Sequence, residues 1–453
     1  MRPITRLART MVVWTVAVAA GGAWWGLRES TAEVRRRVEP QPIFVDSAAV
    51  DVEAVDTVRL ERRDTPPFVF VRREGRWMQT EPFAADMDDY SVRQLVNGMA
   101  TIARLRSIEE PADLAAFQLA PPTATLTLGA GTNEWTLAFG KRGVAGRAFV
   151  RAGDQPVDVV DAQLFERAVE MDPKEWRARE LFPESLGTAT RLRWILRDGI
   201  IELVREGRVW RMLMPVRARA DGERVDEFLT ALTRTRSDGF MQDQPKDLTV
   251  FGLASPVAQL AVDFQGDPPA AARSRSVIVG APLGIGTADR YAMIDDVPSV
   301  LRLSTGTMGL LFPPKEVLID PVASGARAAD VKRIEIRSAA GSIELIRALD
   351  QWTMAITAAG ETSAAIPAKP AAVDALLRVL CATRASEIAI GPFPTEFEVA
   401  TVLLFGFDGK PLDVVRIARD AATNKWGFEN GDSALRVHPP ATGVPLAPAD
   451  FAQ

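Results

Sequence analysis

One pattern occurs three times along this chain, and it constrains the fold more strongly than any single motif. A tryptophan closes each of three strand–turn–strand segments, and a phenylalanine follows it after 40, 41 and 41 residues. The pairs are Trp77 with Phe117, Trp210 with Phe251, and Trp352 with Phe393. Large aromatic residues mainly supply packing area. The pattern therefore predicts how the protein is built better than what it does, and it assigns these residues to the core of a repeated unit.

Each tryptophan is preceded by two runs in which polar and apolar residues alternate. In the first copy the runs are Val55–Leu60 and Phe68–Val71, and Gly75 lies just before Trp77. Alternation with a period of two, bounded by turn residues, is typical of a β-hairpin. We expect each tryptophan to stack across its hairpin and against the helix that follows it.

A short amphipathic helix is predicted after each tryptophan. Apolar residues stand at positions i, i+3, i+4 and i+7 counted from Val92, Val225 and Val373. This spacing places them on one face of a helix, and that face is expected to be buried. Proline or acidic residues precede each stripe, as expected at a helix start, where the amide groups are unpaired and the dipole is positive.

Further alternating strands follow each phenylalanine. Their spacing is mostly too short for crossover helices, so the sequence predicts an α+β fold with antiparallel pairing. Each unit is large enough to bury a core of its own. The predicted repeat units are residues 51–165, 188–303 and 328–440, with linkers at 28–50, 166–187 and 304–328.

The third copy departs from the other two. Phe117 and Phe251 begin Phe-x-Leu segments, whereas Phe393 is followed by Pro394 and Thr395. The third copy also carries six extra residues before its helix and six fewer after it. Because a terminal repeat has only one neighbour, we interpret the third copy as a capping unit.

The N-terminal sequence predicts a membrane anchor. Residues 11–27 are uncharged and largely apolar, and as a helix they would rise roughly 26 Å, close to the bilayer core of about 30 Å. Trp14 lies near one end of this segment and Trp24 and Trp25 lie near the other, which suits the two membrane interfaces. The segment therefore predicts a single transmembrane helix.

The basic tail at residues 1–10 is expected to stay in the cytoplasm, which places residues 28–453 on the outer face of the inner membrane, in the periplasm or outside the cell. A cleaved signal peptide is the alternative, because Ala17-Val18-Ala19 offers small residues at a cleavage site. In both cases the repeats lie outside the cytoplasm.

Composition excludes several functional classes. The net charge is −5 over 453 residues, without the concentrated basic face that nucleic-acid binding requires. A single cysteine cannot form a disulfide within the chain. His438 lacks partner ligands for a zinc site, and Cys381 follows the third helical stripe, where a buried structural thiol is expected.

Other candidate sites are explained by structure rather than chemistry. The glycine-rich segments 140–146 and 280–286 do not match the phosphate-loop pattern, and we interpret both as hairpin turns. Asp86, Asp88 and Asp89, before the first helix, lack the further ligands of an oxygen cage. The adjacent acidic pair Glu109-Glu110 favours a solvated loop. No catalytic, cofactor-binding or metal-binding residue is predicted.

The order of these features resembles the bacterial domain of unknown function family DUF4340. The resemblance covers roughly residues 50–165 and 188–303, and it extends more weakly over 328–440. Its carriers are Trp77, Pro82, Asp86, Phe117, Leu119 and Pro122 in the first copy, and Trp210, Pro215, Asp221, Phe251, Gly252, Leu253 and Pro256 in the second. The resemblance implies a single-anchor protein that faces away from the cytoplasm and is often encoded beside a gliding-type ABC transport system. It implies no catalytic residue.

Two hypotheses of different classes follow. The first is a non-catalytic, membrane-anchored scaffold that docks on an ABC-type permease or another cell-envelope complex. The second is a binding module for a cell-wall polymer or small ligand, which would expose Trp77 or Trp210 in a groove. An unrecognised hydrolase is a third possibility, and it would need carboxylates from distant copies to converge in a cleft.

Overall fold

The protein is described by a computed structural model that consists mostly of antiparallel β-sheets with few, short helices. The described residues are 41–45, 49–109, 113–184, 186–265, 273–295, 297–349 and 351–453. The predicted tail at 1–10, the predicted anchor at 11–27 and most of the predicted linker at 28–50 lie outside the described residues. Within the described ranges, no helix is both long and apolar enough to cross a bilayer.

Three sheets follow one another along the chain, and we call residues 41–178 the first copy, 179–320 the second and 321–453 the third. The strands of the first copy are β1 Gln41–Pro42, β2 Thr57–Arg62, β3 Phe68–Arg73, β4 Arg76–Glu81, β5 Ala85–Asp86, β6 Ala103–Arg104, β7 Arg106–Ile108, β8 Ala124–Ala130, β9 Asn133–Arg142, β10 Arg147–Arg151 and β11 Val157–Asp161. Those of the second copy are β12 Ala189–Leu196, β13 Gly199–Glu206, β14 Val209–Met214, β15 Ala218–Arg219, β16 Gly239–Asp243, β17 Ala258–Phe264, β18 Arg273–Pro282, β19 Arg290–Ile294 and β20 Ser299–Leu303. Those of the third copy are β21 Arg333–Ser338, β22 Gly341–Ala348, β23 Gln351–Ala358, β24 Glu361–Thr362, β25 Ile366–Pro367, β26 Glu387–Ile390, β27 Glu398–Phe405, β28 Pro411–Arg419, β29 Trp426–Glu429 and β30 Ala434–His438.

The three main sheets have the same strand order. It is β5-β4-β3-β2-β8-β9-β10-β11-β7 in the first copy, β15-β14-β13-β12-β17-β18-β19-β20-β16 in the second and β24-β23-β22-β21-β27-β28-β29-β30-β26 in the third. The third sheet adds β25, which pairs with β23. Contacts divide the chain into two compact units, one ending at Ala178 and the other running from Arg179 to Gln453. The second unit therefore contains both the second and the third copy.

One main helix per copy packs on its sheet and forms the core. The helices are α1 Asp89–Ala100, α2 Gln163–Phe165, α3 Gly222–Leu232, α4 Thr305–Leu311, α5 Pro370–Cys381 and α6 Pro448–Phe451, and a π-helical turn spans Glu166–Glu170. The main helices are α1, α3 and α5, and Val92, Val225 and Val373 are fully buried on their apolar faces. The spacing of apolar residues thus places each helix against its own sheet.

The three tryptophans lie in the same cores as the helices. Trp77 is 3% exposed, Trp210 is 2% exposed and Trp352 is 6% exposed. Each belongs to the buried cluster of its own copy. The carbonyl group of each tryptophan accepts a hydrogen bond from the residue that precedes the cap of the main helix. The hairpin therefore fixes the start of the helix through its backbone as well as through the indole ring.

Acidic residues begin the first two main helices. The Asp88 side chain accepts from the Tyr90 amide at 3.0 Å, and the Asp221 side chain accepts from the Arg224 amide at 3.3 Å. These bonds satisfy amides that have no partner within the helix. The third main helix instead begins after Lys369, with Pro370 in its first turn.

A short helical turn at the end of each copy closes over the start of the main helix. We call these closing turns, and they are Pro173–Trp176, Lys315–Leu318 and Pro448–Phe451. The last residue of each is buried, and its carbonyl group accepts from the amide of the helix-cap residue. The bonds are Asp88 N to Trp176 O at 2.8 Å, Asp221 N to Leu318 O at 2.9 Å, and Lys369 N to Phe451 O at 2.8 Å.

The residues that enter each copy pair with the segment that follows its main helix. We call these the entering arms, and the pairs are Pro42 with Ala103, Glu180 with Arg236, and Val322 with Arg384. Arms and closing turns occupy much of the sequence that we predicted to be linkers. The predicted units ending at 165, 303 and 440 are therefore too short, because the closing turns at 173–176, 315–318 and 448–451 complete each core.

Candidate interaction surfaces

The predicted core phenylalanines occupy a different place from the tryptophans. Phe117, Phe251 and Phe393 are half-buried and belong to none of the three buried clusters. This corrects their assignment to the repeat core. Phe117 and Phe251 end short helical turns, whereas Phe393 comes before one. The first two turns lie on the sheet face that points away from the main helix, over Gly140 and Gly280, because successive strand residues point to opposite faces.

In the first two copies this turn is packed tightly on the sheet. The Phe117 ring lies 4.9 Å from the Phe149 ring, and the Phe251 ring lies 5.1 Å from the Tyr291 ring. The leucine two residues after each phenylalanine is buried. We call residues Phe117–Leu119 and Phe251–Leu253 the outer turns.

The glycine-rich segments are hairpins whose first glycine lies beneath the outer turn. β9 pairs with β10 and β18 pairs with β19, as the hairpin interpretation predicts. A Cβ atom on Gly140 would lie 2.2 Å from the Phe117 carbonyl oxygen, and one on Gly280 would lie 2.1 Å from that of Phe251. These glycines therefore allow the backbone of the turn to approach the strand.

The single histidine and cysteine are structural in character. His438 is fully buried at the end of β30, where its ring lies 4.9 Å from Phe428, and burial lowers its pKa. Burial raises the pKa of Cys381 to about 11, so its thiol stays protonated at neutral pH. Among the described residues, no group of three or more His, Cys, Asp or Glu side chains could hold a metal ion.

The acidic residues before the first helix also have structural partners. Asp88 caps α1, and an Asp89 oxygen accepts from the Trp77 amide at 3.0 Å. Asp86 accepts through its carbonyl group from the Ala178 amide. Glu110, from the predicted solvated pair, lies outside the described residues.

The second and third copies share a joint that combines apolar and ionic contacts. Ala434 belongs to the buried cluster of the second copy, and Ile388 and Ile390 pack against that cluster. Edge strand β26 and its neighbour β30 thus cover part of the core of the preceding copy. Apolar burial of this kind contributes roughly 25 cal/mol per Å².

Arg384 connects the third copy to the helix cap of the second. Its Nη2 lies 2.5 Å from Asp221 Oδ2, and its Nη1 lies 3.6 Å from Glu223. The Asp221 side chain is 6% exposed and that of Arg384 is 47% exposed. Because the carboxylate is almost fully desolvated, its paired cation matters more than in a fully exposed pair.

Arg219 makes the reciprocal contact from the second copy to the entering arm of the third. Its Nε lies 3.0 Å from Asp320 Oδ2, and its Nη2 donates to the Val322 carbonyl at 2.7 Å. Its Nη1 also lies 3.9 Å from Oδ2 of Asp413, which is on β28. A Cβ atom on Gly325 would meet the Arg219 Nη1 at 2.3 Å, so the arm has a glycine where the guanidinium passes.

Arg436 is a fully buried cation at the same joint. Its Nη1 and Nη2 atoms donate to the two carboxylate oxygens of Asp432 at 3.0 and 2.6 Å. Its Nε donates to the Asp320 carbonyl at 2.9 Å. A bidentate pair with a further backbone acceptor satisfies the guanidinium without water.

A cleft of about 380 Å³ opens beside this joint. Its polar lining includes Glu206, Arg211, Arg217, Arg219, Asn430 and Asp432. Most of these charges are already paired, since Arg211 binds Glu206 at 2.7 Å and Asp432 binds Arg436. The cleft therefore presents no concentrated charge of one sign.

A larger groove, of about 770 Å³, lies in the first copy between the entering arm at 41–45 and strand β9. Trp135 lines it but is itself mostly buried. The lining mixes polar and apolar side chains, and Arg104, which also lines it, is paired with Asp158 at 2.8 Å. Its described lining residues therefore present one charge pair, between Arg104 and Asp158, and no concentrated charge of one sign.

Sequence reasoning found the packing residues but missed those of the joint. Arg219, Arg384 and Arg436 resemble ordinary surface arginines in the sequence. One signal was present at the helix cap, where the first two copies have Asp88 and Asp221 and the third has Lys369. A lysine has no acceptor for a further arginine, so the cap of the third main helix cannot make the contact that Asp221 makes with Arg384.

Comparison with known proteins identifies the family. A family model described as a domain of unknown function (DUF4340) matches residues 77–208 and 210–401. No curated protein matches. A solved structure described as a candidate DNA polymerase III beta subunit from Eubacterium rectale ATCC 33656 aligns over 88% of this chain and 94% of that chain, at 8% identity and a TM-score of 0.15. A score this low carries no argument about fold or function. Because the family model matches more than half of its residues, the chain belongs to the DUF4340 family.

Proposed function

We propose that this protein is a non-catalytic scaffold, anchored in the inner membrane by residues 11–27 and facing away from the cytoplasm. Its three tandem copies would dock on a membrane complex, with an ABC-type permease as the favoured partner. The anchor is supported by the sequence, and the permease by the family resemblance. The function itself is supported by the joint between the second and third copies.

The joint supports a scaffold because it fixes two repeat units without building a reactive site. Arg384, Arg219 and Arg436 each bridge a carboxylate or carbonyl group across or beside the interface. An apolar strand edge adds to these contacts. Tandem units held in this way present an extended surface of constant geometry, which suits docking on a large partner.

A ligand-binding module is less well supported. That hypothesis expects Trp77 or Trp210 to be exposed in a groove, and both are buried. The clefts described above carry mostly paired charges and little exposed aromatic surface. We therefore favour recognition of a protein.

Recovery from native membranes tests docking. The tagged full-length chain, extracted in mild detergent after crosslinking, should bring down a polytopic membrane protein. Arg384→Glu, which places like charges at the joint, should reduce that recovery. Arg337→Glu, at an exposed pair with Glu335 in the same copy, should not. Repeated recovery of the wild-type chain alone would overturn the proposal.

A reporter fusion tests location. Alkaline phosphatase folds to an active enzyme outside the cytoplasm, so a fusion after residue 60 should be active. A fusion within the predicted cytoplasmic tail, after residue 8, should be inactive. An inactive fusion at residue 60 would contradict the proposed topology.

A further inference from the structure

One end of the third sheet carries exposed apolar side chains at two hairpin tips. The β22–β23 tip contains Leu349, which is 93% exposed, and the β27–β28 tip contains Phe407, which is 64% exposed. Strands β22 and β27 both pair with Arg333 just before their tips, so the two tips lie at the same end of the sheet. Asp350, which follows Leu349, lies outside the described residues.

The first two copies have polar or small residues at the same positions. Counted back from the three repeated tryptophans, Leu349 takes the place of Glu74 and Gly207. Strand register aligns Ala400 with Ala124 and Ala258. Counted from these aligned strand pairs, the third copy has Leu403 for Thr127 and Ala261, Phe405 for Gly129 and Asp263, Phe407 for Gly131 and Gln265, and Val414 for Thr136 and Ser276. The shared fold forms without apolar residues here, so packing within a copy does not explain them.

These residues form a continuous apolar strip that leads to the Phe407 tip. Leu403 and Phe405 lie on the outer face of β27, because the residues between them point into the core. Val414 pairs with Leu403 and is 41% exposed, and Leu412 is 40% exposed on the same strand. A connected apolar surface of this kind is typical of an interaction site, whereas single exposed apolar residues are not.

Cations lie at the base of the two tips. The Lys332 ammonium group donates to the Arg347 carbonyl group beside one tip and lies 5.6 Å from the Phe407 ring of the other. Within the described part of the chain neither Lys332 nor Arg347 forms an ion pair, so no neighbouring carboxylate neutralises them. Lys410, in the Phe407 tip, is 81% exposed and lies 3.6 Å from Asp408.

The acidic residues near this end are engaged or balanced. Asp408 accepts from an amide of its own turn at 3.1 Å, and Glu344 is paired with Arg333 at 2.9 Å. The exposed Asp330, before β21, stands three residues after the exposed Arg327. The uncompensated charges next to the apolar tips are therefore positive.

The backbone of the Phe407 tip is paired within the sheet and the turn. The Gly406 amide donates to the Lys410 carbonyl group at 2.9 Å, and the Gly409 amide donates to the Gly406 carbonyl group at 3.1 Å. At the base of the tip the Lys332 amide donates to the Phe405 carbonyl group at 2.8 Å. Backbone groups that are already paired can approach an apolar medium without a large desolvation penalty.

We propose that the two tips insert into the headgroup region of a bilayer that contains anionic lipids. Phe407 and Leu349 would reach the acyl boundary, and Lys332 and Arg347 would lie at the level of the lipid phosphates. Protruding tips with single apolar side chains suit a fluid lipid surface, whereas a protein surface would need a matching pocket for each. The inference rests on the proposed membrane anchor, which keeps a bilayer within reach, and it gives the scaffold a second membrane contact.

Spin labels at single cysteines measure the depth of the tips. A Cys381→Ala background leaves one reactive thiol at each chosen site. Lys410→Cys places a nitroxide in the Phe407 tip and leaves both apolar tip residues in place. Ala340→Cys is the matched control, because Ala340 is exposed in the β21–β22 turn at the opposite end of the same sheet.

The full-length chain is reconstituted into phosphatidylcholine vesicles that contain about 30% phosphatidylglycerol. The label at residue 410 should be about threefold less accessible to an aqueous nickel chelate than the label at residue 340, because the interface excludes the chelate. In vesicles of phosphatidylcholine alone this protection should be largely lost, since the cations then face no anionic surface. Equal protection in both kinds of vesicle would overturn the proposal.

Variants of the tips identify the side chains responsible. Leu349→Ser combined with Phe407→Ser should return the label at residue 410 to the accessibility of the control label. Ile285→Ser removes an equally exposed aliphatic side chain from a turn of the second copy and should leave the protection unchanged. All three side chains are exposed, so the thermal transition should not change. Full protection of the label in the double variant would contradict insertion by these residues.

Equal accessibility at residues 410 and 340 in anionic vesicles would also overturn the proposal. Protection that is already present in detergent, together with a dimer in light scattering, would instead assign the tips to a second copy of the chain. Vesicle flotation separates this inference from the proposed anchor. A chain that floats but keeps an aqueous label at residue 410 would contradict only the insertion of the tips, and a chain that does not float would contradict the anchor and the insertion together.

Discussion

Arg384 donates from Nη2 to Oδ2 of Asp221 at 2.5 Å, while Oδ1 of the same carboxylate accepts from the Arg224 amide at 3.3 Å. One side chain therefore caps α3 and holds the following copy. Helix capping and assembly of the second unit are coupled through this carboxylate. Loss of Asp221 should affect both, whereas loss of Arg384 should affect mainly the joint.

A double-mutant cycle tests this coupling. Arg384→Ala should lower the free energy of unfolding by about 1 kcal/mol, since the arginine is half-exposed but its partner is desolvated. Asp221→Ala should lower the free energy of unfolding by about 1 kcal/mol more than Arg384→Ala does, because the helix cap is lost as well. The double variant should be less destabilised than the sum of the two, as measured by urea unfolding at low salt. Additive effects would show that Arg384 and Asp221 are not coupled. Arg337→Ala, which removes an arginine outside the joint, is the control.

Trp210→Ala should destabilise the second unit by about 3–5 kcal/mol, because it removes a buried large aromatic from the core. Val209 precedes it on the same strand, points to the opposite face and is half-exposed. Val209→Ala should therefore change stability by less than about 1 kcal/mol. Urea unfolding of the two variants makes the comparison. A loss below about 1 kcal/mol for Trp210→Ala would contradict its place in the core.

His438 should make the third copy less stable in acid. The ring is buried and neither nitrogen has a hydrogen-bond partner among the described residues. Burial lowers its pKa in the folded state, so the unfolded chain binds the proton more readily. Burial of the neutral ring therefore leaves the free energy of unfolding unchanged above the unfolded pKa of about 6.5. Below that pH the free energy of unfolding falls, by at most about 1.4 kcal/mol per pH unit.

The other copies suggest the matched variant. In the same register Val160 and Leu303 take the place of His438, and neither titrates. His438→Val should retain more of its stability than the wild type when urea unfolding at pH 7.5 and pH 5.5 is compared. An equal loss in both proteins would assign the acid sensitivity to carboxylates elsewhere.

The sequence predicted what local periodicity encodes. The stripes beginning at Val92, Val225 and Val373 and the two alternating runs before each tryptophan follow from helix and strand spacing. The tryptophans do not close those hairpins as predicted, because Trp77, Trp210 and Trp352 each lie near the start of a third strand. The position of the phenylalanines did not follow, because an aromatic residue after a helix suits either face of a sheet. Only the register of the later strands places Phe117 on Phe149 and Phe251 on Tyr291.

The ends of each copy were missed for a different reason. A closing turn is four residues long, too short for a periodic signal, and its buried residue changes from Trp176 to Leu318 to Phe451. The common element is a proline, an acidic residue two positions later and then an apolar residue, and so short a segment is easily mistaken for a linker. The contacts of the joint were missed because they connect residues that are far apart in the sequence: Arg384 and Asp221 are separated by 163 residues.

Gly280→Ala should destabilise the second copy by about 1–3 kcal/mol, the usual cost of overpacking. The new Cβ would lie 2.1 Å from the Phe251 carbonyl oxygen, and backbone cannot move aside as a flexible side chain can. Gly129→Ala, also in a strand, is the control, since its Cβ would come no closer than 3.4 Å to Thr57. Thermal unfolding of Gly280→Ala and Gly129→Ala compares their stabilities. Normal stability of Gly280→Ala would show that the outer turn does not lie on the strand.

Phe451→Ala should destabilise the third copy by about 3–5 kcal/mol, although only two residues follow it in the chain and it lies beyond the predicted unit. Its side chain is fully buried, and its carbonyl group accepts from the Lys369 amide at the start of α5. The exposed Phe407 is the matched control, and Phe407→Ala should cost less than about 1 kcal/mol. Removal of residues 441–453 should be at least as harmful as Phe451→Ala, because the backbone cover of the helix start is lost with the ring. If the truncated chain unfolded in urea at the wild-type midpoint, the third copy would end at residue 440 and the closing turn would not be part of its core.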